Sequence, residues 1–247
     1  KPSNASIFLI SFLTYLIGIF PSMVFALPSG GTVQAGSATI DSVSSQQLTI
    51  HQATEKAIID WQEFGIESAE HVDFQLSQGG VTLNRVTGNN PSNIFGKLTS
   101  NGDLWLINPN GVLFGNNAQV DVHGLMATTS NISNADFLSG NYNFSVPSSL
   151  SSTVVNQGTI TAAEGGLVAL VAPGVQNMGI INARLGKVSL ASGRTFTVDL
   201  YGDQLINLGV DSQVMGQVTG MDGQALTSLV TNSGSILVDG GVVRLDV

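Results

Sequence analysis

Short apolar segments alternate with breaks rich in Gly, Asn and Ser from residue 29 to the end of the chain. Inside these segments apolar and polar side chains take turns: Val188 and Leu190 fall on one face, Lys187 and Ser189 on the other. That period of two predicts half-buried strands. From residue 154 the pattern repeats. Val155-Asn-Gln-Gly-Thr-Ile160 is followed by Gly165-Gly-Leu-Val-Ala-Leu-Val-Ala172, then Asn177-Met-Gly-Ile-Ile181 by Gly186-Lys-Val-Ser-Leu-Ala191, and Asn232-Ser-Gly-Ser-Ile236 by Gly240-Gly-Val-Val-Arg-Leu245. Asn156 to Asn177 is 21 residues and Leu170 to Leu190 is 20. Such a unit is too short to fold alone, and it suits one turn of a solenoid whose coils cover one another. Leucine-rich repeats need Leu at fixed offsets followed by helical segments, and RTX repeats need Gly-Gly-x-Gly-x-Asp; the chain has neither pattern, so a parallel β-helix remains. At about 4.8 Å per rung and about 20 residues each, it predicts roughly ten rungs in a rod on the order of 50 Å long. Asn156, Asn177 and Asn232 either stack as a side-chain amide ladder or act as separate turn formers.

The first part of the chain is less regular. Ser29-Gly-Gly-Thr-Val33, Ala38-Thr-Ile40 and Gln47-Leu-Thr-Ile50 read as opening strands, and an exposed solenoid end needs a cap against edge pairing. Residues 27–152 are therefore assigned to an N-terminal cap region and 153–247 to regular rungs. Ala57-Ile-Ile-Asp-Trp-Gln-Glu-Phe64 fits a helix or a strand equally well. Residues 138–153, with Ser, Asn and Pro147 around Tyr142 and Phe144, predict an excursion that packs a hairpin or small sheet against the rod. The last repeat lies next to Val247, which predicts that the polypeptide continues.

Composition sharpens this picture. The chain has 247 residues, 43% hydrophobic and only 10% charged, with 29 Gly. Ser, Thr, Asn and Gln carry the solubility, a mixture that favours an all-β fold. Eight Lys and Arg against 17 Asp and Glu give a net charge of −9, so no basic stripe exists to meet nucleic acid. Cys is absent and only His51, His71 and His123 are present, which excludes thiol chemistry and predicts no metal site and no cofactor. At the start, Lys1 precedes an apolar run from Ile7 to Phe20, then Pro21 and the small-residue site Val24-Phe25-Ala26. Residues 1–26 read as a signal peptide cleaved after Ala26, with no membrane span left in the mature chain; the run is shorter than the roughly 20 apolar residues of a membrane anchor, the competing reading. The missing Met predicts that part of the leader lies upstream. Having no thiols suits a chain that stays unfolded through an oxidising periplasm.

Trp61-Gln-Glu-Phe-Gly-Ile66, Val72-Asp-Phe74, Leu83-Asn-Arg-Val-Thr-Gly-Asn-Asn-Pro-Ser-Asn-Ile94, then Leu104-Trp-Leu-Ile-Asn-Pro-Asn-Gly-Val-Leu-Phe-Gly115, and Gly124-Leu-Met-Ala-Thr128 occur in that order. Together they resemble the amino-terminal secretion domain of filamentous-haemagglutinin-type two-partner secretion exoproteins, over residues 27–133. The resemblance implies a right-handed, single-stranded parallel β-helix with an N-terminal cap and extra-helical strands, so that 27–152 would hold the secretion signal. It implies a Gram-negative-type bacterium, passage through Sec and the periplasm, and recognition by an outer-membrane transporter with POTRA domains and a barrel. The folded domain would then template the downstream rungs of a secreted or surface adhesin-like passenger, through which host or cell surfaces would be met.

Candidate site residues follow from those motifs. In Asn108-Pro109-Asn110-Gly111, Asn108 can bond its own backbone, Pro109 presets φ near about −65° and Gly111 suits the fourth position, so a type I turn fits. Asn90, Pro91 and Asn93 belong to a second such segment. Either holds a turn or contacts the transporter. Trp61 and Trp105 are core or recognition residues, and Arg85 is expected to pair with an acid. Glu55, Asp60, Glu63, Glu67, Glu70 and Asp73 form the densest charge cluster, a solvated face or a patch for a basic groove. Arg194, Asp199 and Asp203 are the nearest approach to a sugar-cleaving site and show no repeated same-face cluster, so no enzyme is expected. A carbohydrate-active enzyme and a purely structural surface solenoid are the alternatives.

Overall fold

The computed structural model describes residues 27–199, 206–208, 214 and 216–247; the expected leader at 1–26 lies outside them. The chain opens with β1 (Thr32–Ala35) and β2 (Ala38–Ser44), then coils through β3 (Gln47–Gln52), β4 (Lys56–Trp61), β5 (His71–Leu76), β6 (Val81–Val86), β7 (Ser92–Ile94), β8 (Lys97–Ser100), β9 (Asp103–Ile107), β10 (Val112–Phe114), β11 (Gln119–Val122) and β12 (Gly124–Thr128). A first excursion carries α1 (Asn134–Ser139) and β13 (Asn143–Phe144). The coil resumes with β14 (Thr153–Asn156), β15 (Thr159–Ala162), β16 (Leu167–Ala172), β17 (Gly174–Asn177), β18 (Ile180–Asn182) and β19 (Lys187–Ser192). A second excursion carries β20 (Phe196–Val198) and β21 (Ile206–Leu208), before β22 (Val230–Asn232), β23 (Ser235–Leu237) and β24 (Val242–Asp246) form the last rung.

Three sheets wall the coil. Sheet I orders β1-β4-β6-β9-β12-β16-β19-β24, sheet II β2-β3-β5-β8-β11-β15-β18-β23 and sheet III β22-β17-β14-β10-β7. Pairing inside them is parallel except where β1 meets β4 and β2 meets β3, so two antiparallel strands close the first rung. The repeats lie in register: Leu170 sits beside Leu190 and Leu190 beside Leu245, while Asn156, Asn177 and Asn232 stand in one file. Sheet I has eight strands, and without antiparallel β1 seven rungs remain among the described residues, fewer than the ten expected. The two excursions explain the shortfall, because their residues leave the coil and add no rung.

Burial follows from this topology. Ile59, Trp61, Leu104, Leu106, Ala127, Leu170 and Leu190 point into the coil, among the side chains of the main core. The intervening residues of sheet I, including Ile58, Leu83, Trp105, Ile107, Met126, Ala169 and Val171, form a second core on its outer face with Phe137, Tyr142, Phe144 and Phe196. A strand buried on both faces needs no alternation. That is why β16 is an unbroken apolar run and why 57–61, the first part of the segment 57–64 that its sequence left ambiguous, settles in strand β4. The excursion expected at 138–153 is there but starts earlier, filling 129–152 between β12 and β14, and it shares its sheet with the second one: β13 pairs antiparallel with β20, and β20 with β21. It also holds a helix. Ser133 caps α1 by accepting from the Asp136 amide at 3.0 Å, and Gly140 ends it at a φ of 82°. Lys56 reaches across to donate to the carbonyls of Phe137 and Leu138, at 3.0 and 3.2 Å.

Candidate functional site

The Asn108-Pro109-Asn110-Gly111 turn joins β9 of sheet I to β10 of sheet III. Its backbone closes when the Gly111 amide donates to the Asn108 carbonyl at 3.0 Å, and Gly111 takes a φ of 113° that favours glycine. Asn108 is fully buried. Its Oδ1 accepts from the Asn110 amide at 2.9 Å, the local bond that its sequence position allows. Its Nδ2 makes contacts that no local pattern signals: it reaches back one rung and donates to the Asn90 carbonyl and to Ser92 Oγ, both at 3.0 Å. Asn110 Nδ2 likewise donates to the Gly88 carbonyl at 2.9 Å. On the other side Ser152 Oγ donates to the Pro109 carbonyl. The corner therefore stitches three successive turns of the coil.

The second segment has a different form. The bend lies at 88–90, Pro91 leads out of it, and Ser92 and Asn93 already belong to β7. Pro91 has no amide to donate, and the next one along, that of Ser92, donates to the Gly111 carbonyl at 3.0 Å. Strand pairing thus takes over where a four-residue turn was expected. Asn90 Nδ2 donates to Glu63 Oε1 at 2.7 Å, and Asn93, exposed, lines a cleft of about 270 Å³ with Glu63, Phe64, Glu67 and Pro91.

Trp61 and Trp105 lie on opposite sides of sheet I. Trp61 points into the coil, where its Nε1 donates to Asn84 Oδ1 at 3.0 Å. Trp105 points outward into an aromatic cluster, with Tyr142, Phe137 and Phe144 rings centred 4.8, 5.3 and 5.8 Å away. Both are buried, so neither presents a surface to a partner in the folded state. Arg85 bonds Asp60 at 3.1 Å and also donates to Asn131 Oδ1 and the Ile132 carbonyl, each at 2.9 Å, which ties the start of the first excursion to the coil.

The acidic run does not stay together. Asp60 lies on sheet I with Arg85, Asp73 on sheet II accepting from Thr99, and Glu70 is buried, accepting from the Glu67 amide. Next to Asp73, His71 bonds Thr99 Oγ1 at 2.8 Å; burial, and then the charge of Lys97, lower its pKa from the ordinary 6.5, against an opposing pull from Asp73. Arg194 donates to the Ser148 carbonyl at 2.9 Å, Asp199 is exposed and Asp203 lies outside the described residues. Among the described residues no His, Asp and Glu side chains gather as a metal site would need, and no helix is long and apolar enough to cross a membrane.

Residues 25–244 match the TPS secretion domain. The chain belongs to that family. The TPS domain here is 35% identical over 204 residues to the heme/hemopexin-binding protein of Haemophilus influenzae strain Rd, a stretch covering 80% of this chain and 22% of that protein. A second heme/hemopexin-binding protein of Haemophilus influenzae is 42% identical over 110 residues, 44% of this chain and 12% of its own length. The chain thus spans about a fifth or less of these relatives. The crystal structure of the HMW1 secretion domain from Haemophilus influenzae matches with a TM-score of 0.70 at 29% identity, over 88% of this chain and 55% of that one. TPS domains are secretion modules of large exported, haemagglutinin-like proteins; the family is not an enzyme family, and membership implies a cognate outer-membrane transporter.

Proposed function

We propose that this TPS domain is the address and the folding nucleus of its exoprotein. The chain crosses the inner membrane by Sec, stays unfolded in the periplasm, is captured by the POTRA domains of its transporter and folds on emerging from the barrel. The observation that carries this reading is the match of residues 25–244 to the TPS secretion domain, joined to a first rung that antiparallel β1 and β2 close. After that cap each rung pairs in parallel on the one before it while closing a loop of only about 20 residues, which suits growth from the capped end onward. In this reading Asn108, Pro109, Asn110 and Gly111, with Asn90, Pro91 and Asn93, serve secretion by fixing the corner. The buried Asn108 amide supports a folding role ahead of a contact role. Residues shared with the heme/hemopexin-binding proteins lie within the secretion module, so they support shared export and do not extend to those proteins' ligands.

Co-expression with and without the cognate transporter tests the proposal. The chain should reach the medium or the cell surface only when both are present, and Asn108→Leu should lower the exported fraction. Equal export without the transporter would overturn it.

A further inference from the structure

The sequence contains two Asn-Gly bonds, Asn101-Gly102 and Asn110-Gly111. Glycine, lacking a β-carbon, lets its amide nitrogen approach the side-chain carbonyl of the preceding residue with least hindrance. Attack of that nitrogen on Asn Cγ forms a C–N bond and expels Nδ2, which leaves as ammonia with the glycine's amide proton. The product is a five-membered succinimide. Water then opens the ring, adding across one of its two C–N bonds, to give aspartate or a backbone-rerouted isoaspartate.

The fold opposes this chemistry at both sites, and in the same way. Each asparagine donates its side-chain amide to a backbone carbonyl of the preceding rung. Asn101 Oδ1 accepts from the Leu76 amide at 2.7 Å and its Nδ2 donates to the Leu76 carbonyl at 2.9 Å. Asn110 Nδ2 donates to the Gly88 carbonyl at 2.9 Å and to Asn108 Oδ1 at 3.1 Å. The nucleophiles are occupied too: the Gly102 amide donates to Ser100 Oγ and the Gly111 amide to the Asn108 carbonyl, both at 3.0 Å. Ring closure needs Cγ over the glycine nitrogen and that nitrogen stripped of its proton, so at each site it must break the bonds on both partners first.

We infer that Asn101 and Asn110 are fold-gated modification sites, open to succinimide formation while the chain is unfolded and shielded once the rungs have stacked. The lesion also disfavours the folded state. An aspartate at either position sets a carboxylate oxygen against a carbonyl, that of Leu76 or Gly88, where a donor is required. Isoaspartate at 110 adds a methylene to the backbone of a turn whose Gly111 already sits at a φ of 113°. The unfolded chain therefore carries a chemical time limit. Its relevance to export rests on the secretion reading above, whereas the chemistry does not.

Purified full chain, incubated at mildly alkaline pH with and without urea, provides the test, with no transporter involved. Peptide mass spectrometry and isoaspartate labelling should show conversion at 101 and 110 at least about tenfold faster in urea, the factor expected if closure requires local opening. Asn116 and Asn143, followed by Asn and Phe, serve as slow internal references. Equal rates in folded and unfolded chain would overturn the gating. After dilution from urea, the protease-resistant fraction should be depleted of chains modified at 110; an even partition would overturn the claim that the lesion disfavours the fold. Asn110→Gln, which keeps the amide, should refold and resist conversion at 110, while Asn110→Asp should partition with the modified chains.

Discussion

Replacing Asn108 by Ala should destabilise the domain by about 4–5 kcal/mol, far more than the same change at Asn110, two residues on in the same turn. Asn108 is fully buried and its amide makes four bonds: two donated to the Asn90 carbonyl and Ser92 Oγ, two accepted from Asn110. At a net worth of about 1 kcal/mol per bond, losing the two cross-rung bonds and the one accepted from the Asn110 amide costs about 3 kcal/mol. Ser92 is also fully buried, and stripping its hydroxyl of this donor adds about 1–2 kcal/mol. Asn110 is exposed and makes one cross-rung bond, to the carbonyl of buried Gly88, so Asn110→Ala should cost about 1–2 kcal/mol. Both variants stay within the roughly 5–15 kcal/mol of a typical domain, so urea unfolding monitored by far-UV circular dichroism can compare them at constant m-value. Equal costs at 108 and 110, or a cost below about 1 kcal/mol at 108, would refute the view that the motif works as a buried stitch between rungs.

Asn177→Ala removes the middle of an amide ladder in which Asn156 Nδ2 donates to Asn177 Oδ1 and Asn177 Nδ2 to Asn232 Oδ1, each at 2.7 Å; it should cost about 2–4 kcal/mol, whereas Asn232→Ala, at the ladder's exposed end, should cost about 1 kcal/mol, both read from urea midpoints. Arg85→Ala should free residues 129–133 from the coil, making the first excursion the earliest site of limited proteolysis while the circular dichroism of the coil persists; unchanged cleavage would count against the tie. The lowered pKa of His71 means that the unfolded chain binds the proton more readily, so unfolding free energy should fall as pH drops through and below 6.5; His71→Gln should flatten that slope.

How much of this was legible in the sequence varied by element. The rungs from 154 onward were readable because each copy repeats its neighbour and each strand must bury one face, so pattern and fold are tied locally. Arg85 could be matched to an acid, since so few cations compete for many carboxylates, but its tie to Asn131 and Ile132 spans more than forty residues and leaves no local trace. The acidic run from Glu55 to Asp73 looked like one patch. The chain turns a corner between β4 and β5, and that sends its members to different sheets. Asn84 and Thr82, polar residues facing the coil interior, could not be picked out, because their partners Trp61 and Gln52 sit one rung away.

The sequence by itself determined the all-β solenoid, its repeat length, the turn at Asn108-Pro109-Asn110-Gly111 and the family its motifs resemble, all properties set within one rung by strand period and turn chemistry. Only the tertiary structure decided that Trp61 and Trp105 face opposite cores, that two separate excursions build one small sheet over sheet I, that Asn156, Asn177 and Asn232 form a ladder, and that the Asn108 amide is spent on the preceding turn. Each of those depends on which rung lies above which and how far each excursion reaches. Stacking sets that register through contacts between residues some twenty or more positions apart, where no local periodicity records them.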